Sequence, residues 1–298
     1  MKNQAASIRA RLLNLARREN QDFQRLLVRF ANERLLVRLA RSPYADDFIL
    51  KGATLFTVWL GQPHRATKDI DLLGRGEPSI ERLVGLFREI AAIEILEDGL
   101  FFEKEGIVGA PIREEARYLG VRLFVPAKLA GARVRLQVDV GMGDAVVPDP
   151  LMAEVPSLLN LSRPLMRMYA KETVVAEKLD AMIVLGLGNS RMKDYYDLDL
   201  LRRKFNFDDL LVEAIRESFL RRGTPLPSQL PIGLSDAFSG DRTKQTQWKA
   251  FLRKAGGDTS RPLYDVVADI RSWLWPVLKM AGNRDGDKSC DTNGSTGQ

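Results

Sequence analysis

Between Arg133 and Val140 apolar and polar residues alternate without a break: Val134, Leu136, Val138 and Val140 against Arg133, Arg135, Gln137 and Asp139. A period of two places successive side chains on opposite faces of a strand. The chain must therefore build a sheet with one buried face and one face that carries charge. Tyr118–Val125, Leu100–Lys104 and Ile93–Leu96 read as further strands, set apart by Gly, Pro or charged residues. Upstream, Phe48–Leu50 reads as a buried strand before a Lys51-Gly52 turn, Thr54–Leu60 as a helix and Thr67–Leu73 as another strand. Pro78 to Glu81 opens a helix that runs to about Ala92.

The period is helical on either side of this region. Leu12, Leu15, Leu26, Phe30, Leu35 and Leu39 recur near helical spacing over residues 4–41, as one or two helices, and Pro43 ends the run. After Pro148-Asp149-Pro150, helices are expected over 171–187, 191–205, 208–222, 243–255 and 262–281. Residues 283–298 hold almost nothing apolar and read as a disordered tail. The expected organisation is an N-terminal helical arm (1–45), a mixed α/β core (46–160), a helical domain (161–282) and the tail, which makes the fold class α+β.

Composition removes several chemistries. One cysteine, Cys290 in the tail, excludes an internal disulfide and a Cys-based zinc site. One histidine, His64 in a loop, excludes His-pair metal motifs and disfavours a Ser-His-Asp triad. No run approaches the ~18 apolar residues of a membrane span, and the Arg-rich start lacks a secretory h-region, so a cytoplasmic protein is expected. Its chemistry must use carboxylates, lysines and arginines. The net charge of +6 favours polyanionic partners. Most basic residues near the start, among them Arg9, Arg11, Arg25, Arg29, Arg34, Arg38 and Arg41, read as a solvated helix face.

Two segments carry the chemistry. In Arg65-Ala66-Thr67-Lys68-Asp69-Ile70-Asp71-Leu72 the two aspartates project together from one strand face while Ile70 and Leu72 point inward. Adjacent carboxylates repel unless positive charge sits between them, and a hard ion such as Mg²⁺ suits an all-oxygen site. Asp139, on the polar face of its own strand, is the candidate third carboxylate if the strands are neighbours, and Asp144 is a weaker substitute. The Lys51-Gly52-Ala53-Thr54 turn supplies a strand-to-helix junction where a backbone approaches phosphate closely. Further on, Lys178 has Val174, Val175, Ala181 and Met182 around it on a helix, an apolar setting that a lysine occupies when paired or reaching out. Arg191, Asp194 and Asp197 share a face of the next helix, where Asp194 can either pair with Lys178 or position a nucleotide. Tyr195, Tyr196, Trp273 and Trp275 read as helix packing and core.

Together, Lys51-Gly52-Ala53-Thr54, Arg65-x-Thr67-x-Asp69-Ile70-Asp71-Leu72, Glu177-Lys178-Leu179 and Arg191-x-Lys193-Asp194-Tyr195-Tyr196-Asp197-Leu198 resemble the AbiEii/AbiGii nucleotidyltransferase toxin family, within the DNA polymerase β-like superfamily. The resemblance implies a nucleotidyltransferase-like mixed sheet flanked by helices and followed by a helical domain. It implies Mg²⁺-dependent transfer of a nucleotide from a nucleoside triphosphate to an RNA acceptor, the tRNA 3′ end in characterised toxins. Other relatives are GTP-binding abortive-infection toxins directed against phage. A cognate antitoxin, often a winged-helix repressor acting without a tight complex, is the implied partner, and no membrane is involved.

By the same resemblance Asp69, Asp71 and Asp139 are metal ligands, and Asp139 is the base for the acceptor hydroxyl. Lys178 contacts triphosphate and Asp194 or Asp197 is the later functional aspartate. Lys51, Gly52, Ala53, Thr54, Arg65, Thr67 and Arg191 lie with the nucleotide. The superfamily turn is usually Gly-Ser or Gly-Gly; Ala53 departs from it and removes a hydroxyl.

Overall fold

The computed structural model describes residues 2–114, 118–255 and 261–283. Cys290 and the tail expected over 283–298 lie outside the described residues, except that Asn283 closes the last helix. The chain forms two compact units, Met1–Asp144 with Pro150–Tyr169, and Ala145–Asp149 with Ala170 onward. No described helix is long and apolar enough to cross a membrane.

The first unit opens with α1 (Lys2–Arg18) and α2 (Phe23–Arg41), then β1 (Phe48–Lys51), α3 (Thr54–Leu60), β2 (Asp69–Gly74) and α4 (Ile80–Ala92). The strands β3 (Phe101–Phe102), β4 (Val108–Glu114), β5 (Tyr118–Leu129), β6 (Ala132–Met142), β7 (Leu151–Glu154) and β8 (Leu165–Met168) complete it. Asp22 breaks the N-terminal helical run in two by accepting the Arg25 N–H as the α2 N-cap.

The sheet runs β3-β5-β6-β2-β1-β8-β7, with β4 also on β5. The β2–β6 and β1–β8 pairs are parallel and the others antiparallel. Val134, Leu136, Val138 and Val140 are buried, as the alternation demands, and α2 packs on that face of β6.

Several expectations change in this unit. Ile93–Leu96 is irregular rather than a strand, and β4 was not expected because Gly109 and Pro111 read as breaks. Gly109 serves packing: a Cβ there would sit 2.6 Å from Ile80 Cγ2 of α4. Pro111 is tolerated because β4 pairs on one side only, through β5. The sheet also reaches past residue 161, since β8 pairs with β1, and α1 and α2 fall within the same compact unit as the sheet.

Arg34 and Arg38 are not a solvated face. Both are buried, and both bond the fully buried Asp98, at 3.2 Å and 2.6 Å. Arg34 also reaches Glu33, Glu97 and the Ser162 carbonyl. Carboxylates distant in sequence make burial of these guanidinium groups tolerable.

The second unit is helical: α5 (Lys171–Leu185), α6 (Met192–Lys204), α7 (Leu210–Arg222), α8 (Asp236–Gly240), α9 (Arg242–Ala255) and α10 (Leu263–Asn283). α5 packs on α7, and α10 on α6 and α7. Leu179, Met182, Leu198, Leu201, Ile215, Phe219, Ile270 and Leu274 form its core. Trp273 and Trp275 are half-buried rather than core, Trp273 lying against Phe207 and Trp275 beneath the Lys279 ammonium.

Candidate active site

Strand register sets a row of four charges on the face of the sheet that the apolar side chains leave. Lys51 on β1 pairs with Asp71 on β2, Asp71 with Asp139 on β6, and Asp139 with Arg122 on β5. Partners in register share a face, with neighbouring strands about 4.8 Å apart. The row therefore reads cation, carboxylate, carboxylate, cation. One step along the strands, Asp69 stands opposite Gln137.

Each member has local support. Arg122 grips both oxygens of Asp139, at 2.8 Å and 2.7 Å, and the Gln137 amide donates to the same carboxylate at 3.2 Å. Lys51 donates to Asp144 at 2.9 Å and lies 5.4 Å from the Tyr169 ring centre. Asp144 thus sits with the lysine that ends β1, while Asp139 stands beside Asp71.

Gly52 follows with φ +74°, a left-handed conformation that favours glycine. A Cβ at Gly52 would lie 2.7 Å from the Asp71 Cβ, so only a glycine lets the turn press against that aspartate. Ala53 is the buried N-cap of α3 without a side-chain bond, and Thr54 begins the helix, half-buried. Arg65 and Thr67 are half-buried on the loop into β2, where His64 stacks on Phe56.

Asp69, Asp71 and Asp139 offer the hard oxygen donors that Mg²⁺ prefers, on one face. Among the described residues, however, no three Asp, Glu, His or Cys side chains converge as a metal cage. The two aspartates of β2 fit as a metal-holding pair. Asp139 joins them in register but has both oxygens engaged by Arg122.

In the helical unit Lys178 of α5 is locked between two aspartates of α6. Its ammonium donates to Asp194 at 2.6 Å and Asp197 at 2.8 Å, and both carboxylates are fully buried. Arg191 adds a third bond, to the second Asp194 oxygen at 2.8 Å. Burial opposes ionisation of Asp194, but the Lys178 and Arg191 charges outweigh it and hold the carboxyl below its usual range. Asp194 and Asp197 therefore act as one cluster on Lys178. Glu177 and Asp180 pair with Arg222 of α7. Tyr195 and Tyr196 are core: Tyr195 donates to the Gly233 carbonyl at 2.9 Å, and Tyr196 packs on Trp248 and Phe251.

Sequence reasoning missed Arg122, Asn189 and Lys244. Arg122 sits on the polar side of a strand that alternation finds, but its match to Asp139 needs the register. Asn189 caps the turn into α6 by accepting the Arg191 N–H at 2.8 Å. Its carbonyl accepts from the buried Lys244 at 2.9 Å, a contact 55 residues apart that no local pattern signals.

The profile of the AbiEii nucleotidyl transferase toxin, Type IV TA system, matches residues 34–271. The crystal structure of JHP933 from Helicobacter pylori is similar with TM-score 0.48 and 16% identity, over 87% of this chain and 95% of that chain. An H. pylori protein designated a nucleotidyltransferase gives TM-score 0.46 and 16% identity, over 85% and 96%. No curated protein matches. With the profile covering most of its length, the chain belongs to the AbiEii toxin family of type IV toxin–antitoxin systems and is a nucleotidyltransferase.

Proposed function

We propose that this protein transfers a nucleotide from a nucleoside triphosphate to the 3′ end of an RNA, tRNA in particular, with Mg²⁺ as cofactor. The observation that carries the reading is the row Lys51–Asp71–Asp139–Arg122, with Asp71 pressed against the Gly52 turn. Asp69 and Asp71 would hold Mg²⁺. When bound, the ion supplies Lewis acidity that neutralises charge on the triphosphate and lowers the pKa of the attacking hydroxyl. Asp139 accepts the proton of the acceptor hydroxyl as its oxygen bonds to the α-phosphorus and pyrophosphate leaves. That role requires Asp139 to exchange its Arg122 bonds for the hydroxyl. Lys51, Gly52, Ala53, Thr54, Arg65 and Thr67 surround the nucleotide in this reading. Lys178, Arg191, Asp194 and Asp197 carry over from the family resemblance as triphosphate contact and its supports.

The protein then works in the cytoplasm, blocks translation by capping tRNA, and serves phage defence. Its antitoxin is a winged-helix repressor that restrains it without a tight complex. The test is direct. Purified protein is incubated with Mg²⁺, total tRNA and each α-³²P-labelled nucleoside triphosphate in turn, beside Asp71→Ala, and resolved on a denaturing gel. Label on tRNA with the intact protein only is the expected result, and it names the nucleotide. Label that survives in Asp71→Ala, or that appears on a protein or small molecule, overturns the reading.

A further inference from the structure

Beyond the row of four charges, the outward face of β5 and β6 continues towards the β3 edge. Arg122, Phe124 and Lys128 alternate outward on β5 between the buried Val121, Leu123, Val125 and Ala127. Arg133 and Arg135 do the same on β6, and both are exposed. The central carbon of the Arg135 guanidinium sits over Phe124, 4.0 Å from the ring centre. Phe101, 64% exposed, stands opposite Lys128 in the register. From Arg122 to Lys128 this face spans about 20 Å, at about 3.3 Å per residue.

Two properties of the face are unusual for a protein exterior. Phe101 is left largely exposed and Phe124 is only half-buried, beneath Arg135, although burying such rings fully would stabilise the fold. Two of the face's four cations, Arg133 and Arg135, are not neutralised locally either. Lys128 pairs with Glu103 and Arg122 with Asp139, but among the described residues no carboxylate lies within ion-pair reach of Arg133 or Arg135. Cations interleaved with aromatic surface suit a single-stranded polynucleotide. Its phosphates need positive charge, and its unpaired bases stack on rings or on guanidinium planes. The face is also continuous with the carboxylate row, because Phe124 neighbours Gln137, which bonds Asp139.

We propose that the open face of β5 and β6 binds the single-stranded 3′ end of the RNA acceptor, with the Arg135–Phe124 stack as the platform for a base. Arg133 and Lys128 hold the phosphates that follow. This rests on the reading of the protein as an RNA nucleotidyltransferase, and it adds where the acceptor strand runs and which residues grip it.

The experiment uses the full chain and a fluorescein-labelled single-stranded RNA of about a dozen nucleotides, with binding read by anisotropy. Phe124→Ala and Arg135→Ala are expected to weaken binding roughly tenfold or more. Arg135→Lys, which keeps the charge but loses the plane, should fall nearly as far, while Phe124→Tyr should bind like the parent. Arg133→Gln and Lys128→Gln should each reduce the slope of log affinity against log salt by about 0.7. Arg18→Gln, an exposed cation on α1, controls for net charge.

Full affinity in Arg135→Lys and Arg135→Ala, substitutions at an exposed site that leave the fold alone, overturns the platform. So does equal loss in Arg18→Gln. Nucleotide transfer is measured on the same RNA. If the parent labels RNA and the Arg135 variants do so with unchanged KM, the platform falls and the transferase reading stands. If RNA binds through Arg135 and Phe124 but is never labelled, the platform stands and the transferase reading falls.

Discussion

Gly52 shows how one residue can be required for two reasons at once. Its φ of +74° costs an L-residue roughly 1–2 kcal/mol, and its missing Cβ leaves the space that Asp71 occupies. Gly52→Ala should therefore lower the melting temperature and also displace the Asp71 carboxylate. We expect transfer activity to fall further than stability alone explains, and thermal melts beside a transfer assay separate the two losses. Lys178 poses the converse problem, because a variant there loses structure as well as chemistry. Removing its charge strands two fully buried aspartates, a loss of about 3–5 kcal/mol for a buried pair. Asp194 also sets a pH dependence. Its folded-state pKa is depressed, so its stabilisation is fully present above about 3.9, the ordinary carboxylate value. That stabilisation is lost as pH falls through the depressed value. Melting temperatures measured across the acid range should fall less steeply in Asp194→Asn than in the parent; an identical acid limb would contradict the assignment.

At the scale of elements, α2 is held to the rest of its unit by charge as well as by apolar contact. Arg34 and Arg38 bring Asp98, Glu97 and the Ser162 carbonyl onto one helix. Arg34→Ala should cost about 3–5 kcal/mol, because Asp98 would keep a buried charge with fewer partners. A double-mutant cycle of Arg34→Met with Asp98→Leu should recover part of that loss; strictly additive losses would show that the two do not interact. Glu33 in the same helix has the opposite pH sign to Asp194. Burial raises its pKa against the Leu158 N–H and Ser157 bonds. Its contribution is thus full below the unfolded value of about 4.3 and declines as pH rises through the raised one. Between strands, register has the same authority. Moving β6 by one residue against β2 would turn Asp139 to the buried face and Val138 to the charged one.

Over the whole molecule, the net charge of +6 bears on partners and not on fold. If RNA is the acceptor, binding must weaken as salt rises, and titration across roughly 50 to 200 mM salt checks it. A salt-independent affinity would point to an uncharged partner. The division into units also shifts what a truncation would remove. A cut at residue 160 would discard β8, which pairs with β1 next to Lys51.

Much of this was legible in the sequence. Local pattern located α5, α6, α7, α9 and α10 to within a few residues but not the five-residue α8, along with β1, β2 and β6 and the Asp69–Asp71 pair, because side-chain period is a property of neighbouring residues. A lysine among apolar residues asked for a partner, and Asp194 was legible as that counter-charge or as a nucleotide contact; the tertiary structure brings both Asp194 and Asp197 to Lys178. The short strands β7 and β8 are four residues long and carry too little period to be seen, while β3 is the two-residue remnant of the strand expected over Leu100–Lys104. The burial of Arg34 and Arg38, the grip of Arg122 on Asp139 and the tie from Lys244 to Asn189 were decided only in three dimensions. Each joins residues far apart in sequence, and the free energy that permits it comes from a partner the local chain does not contain.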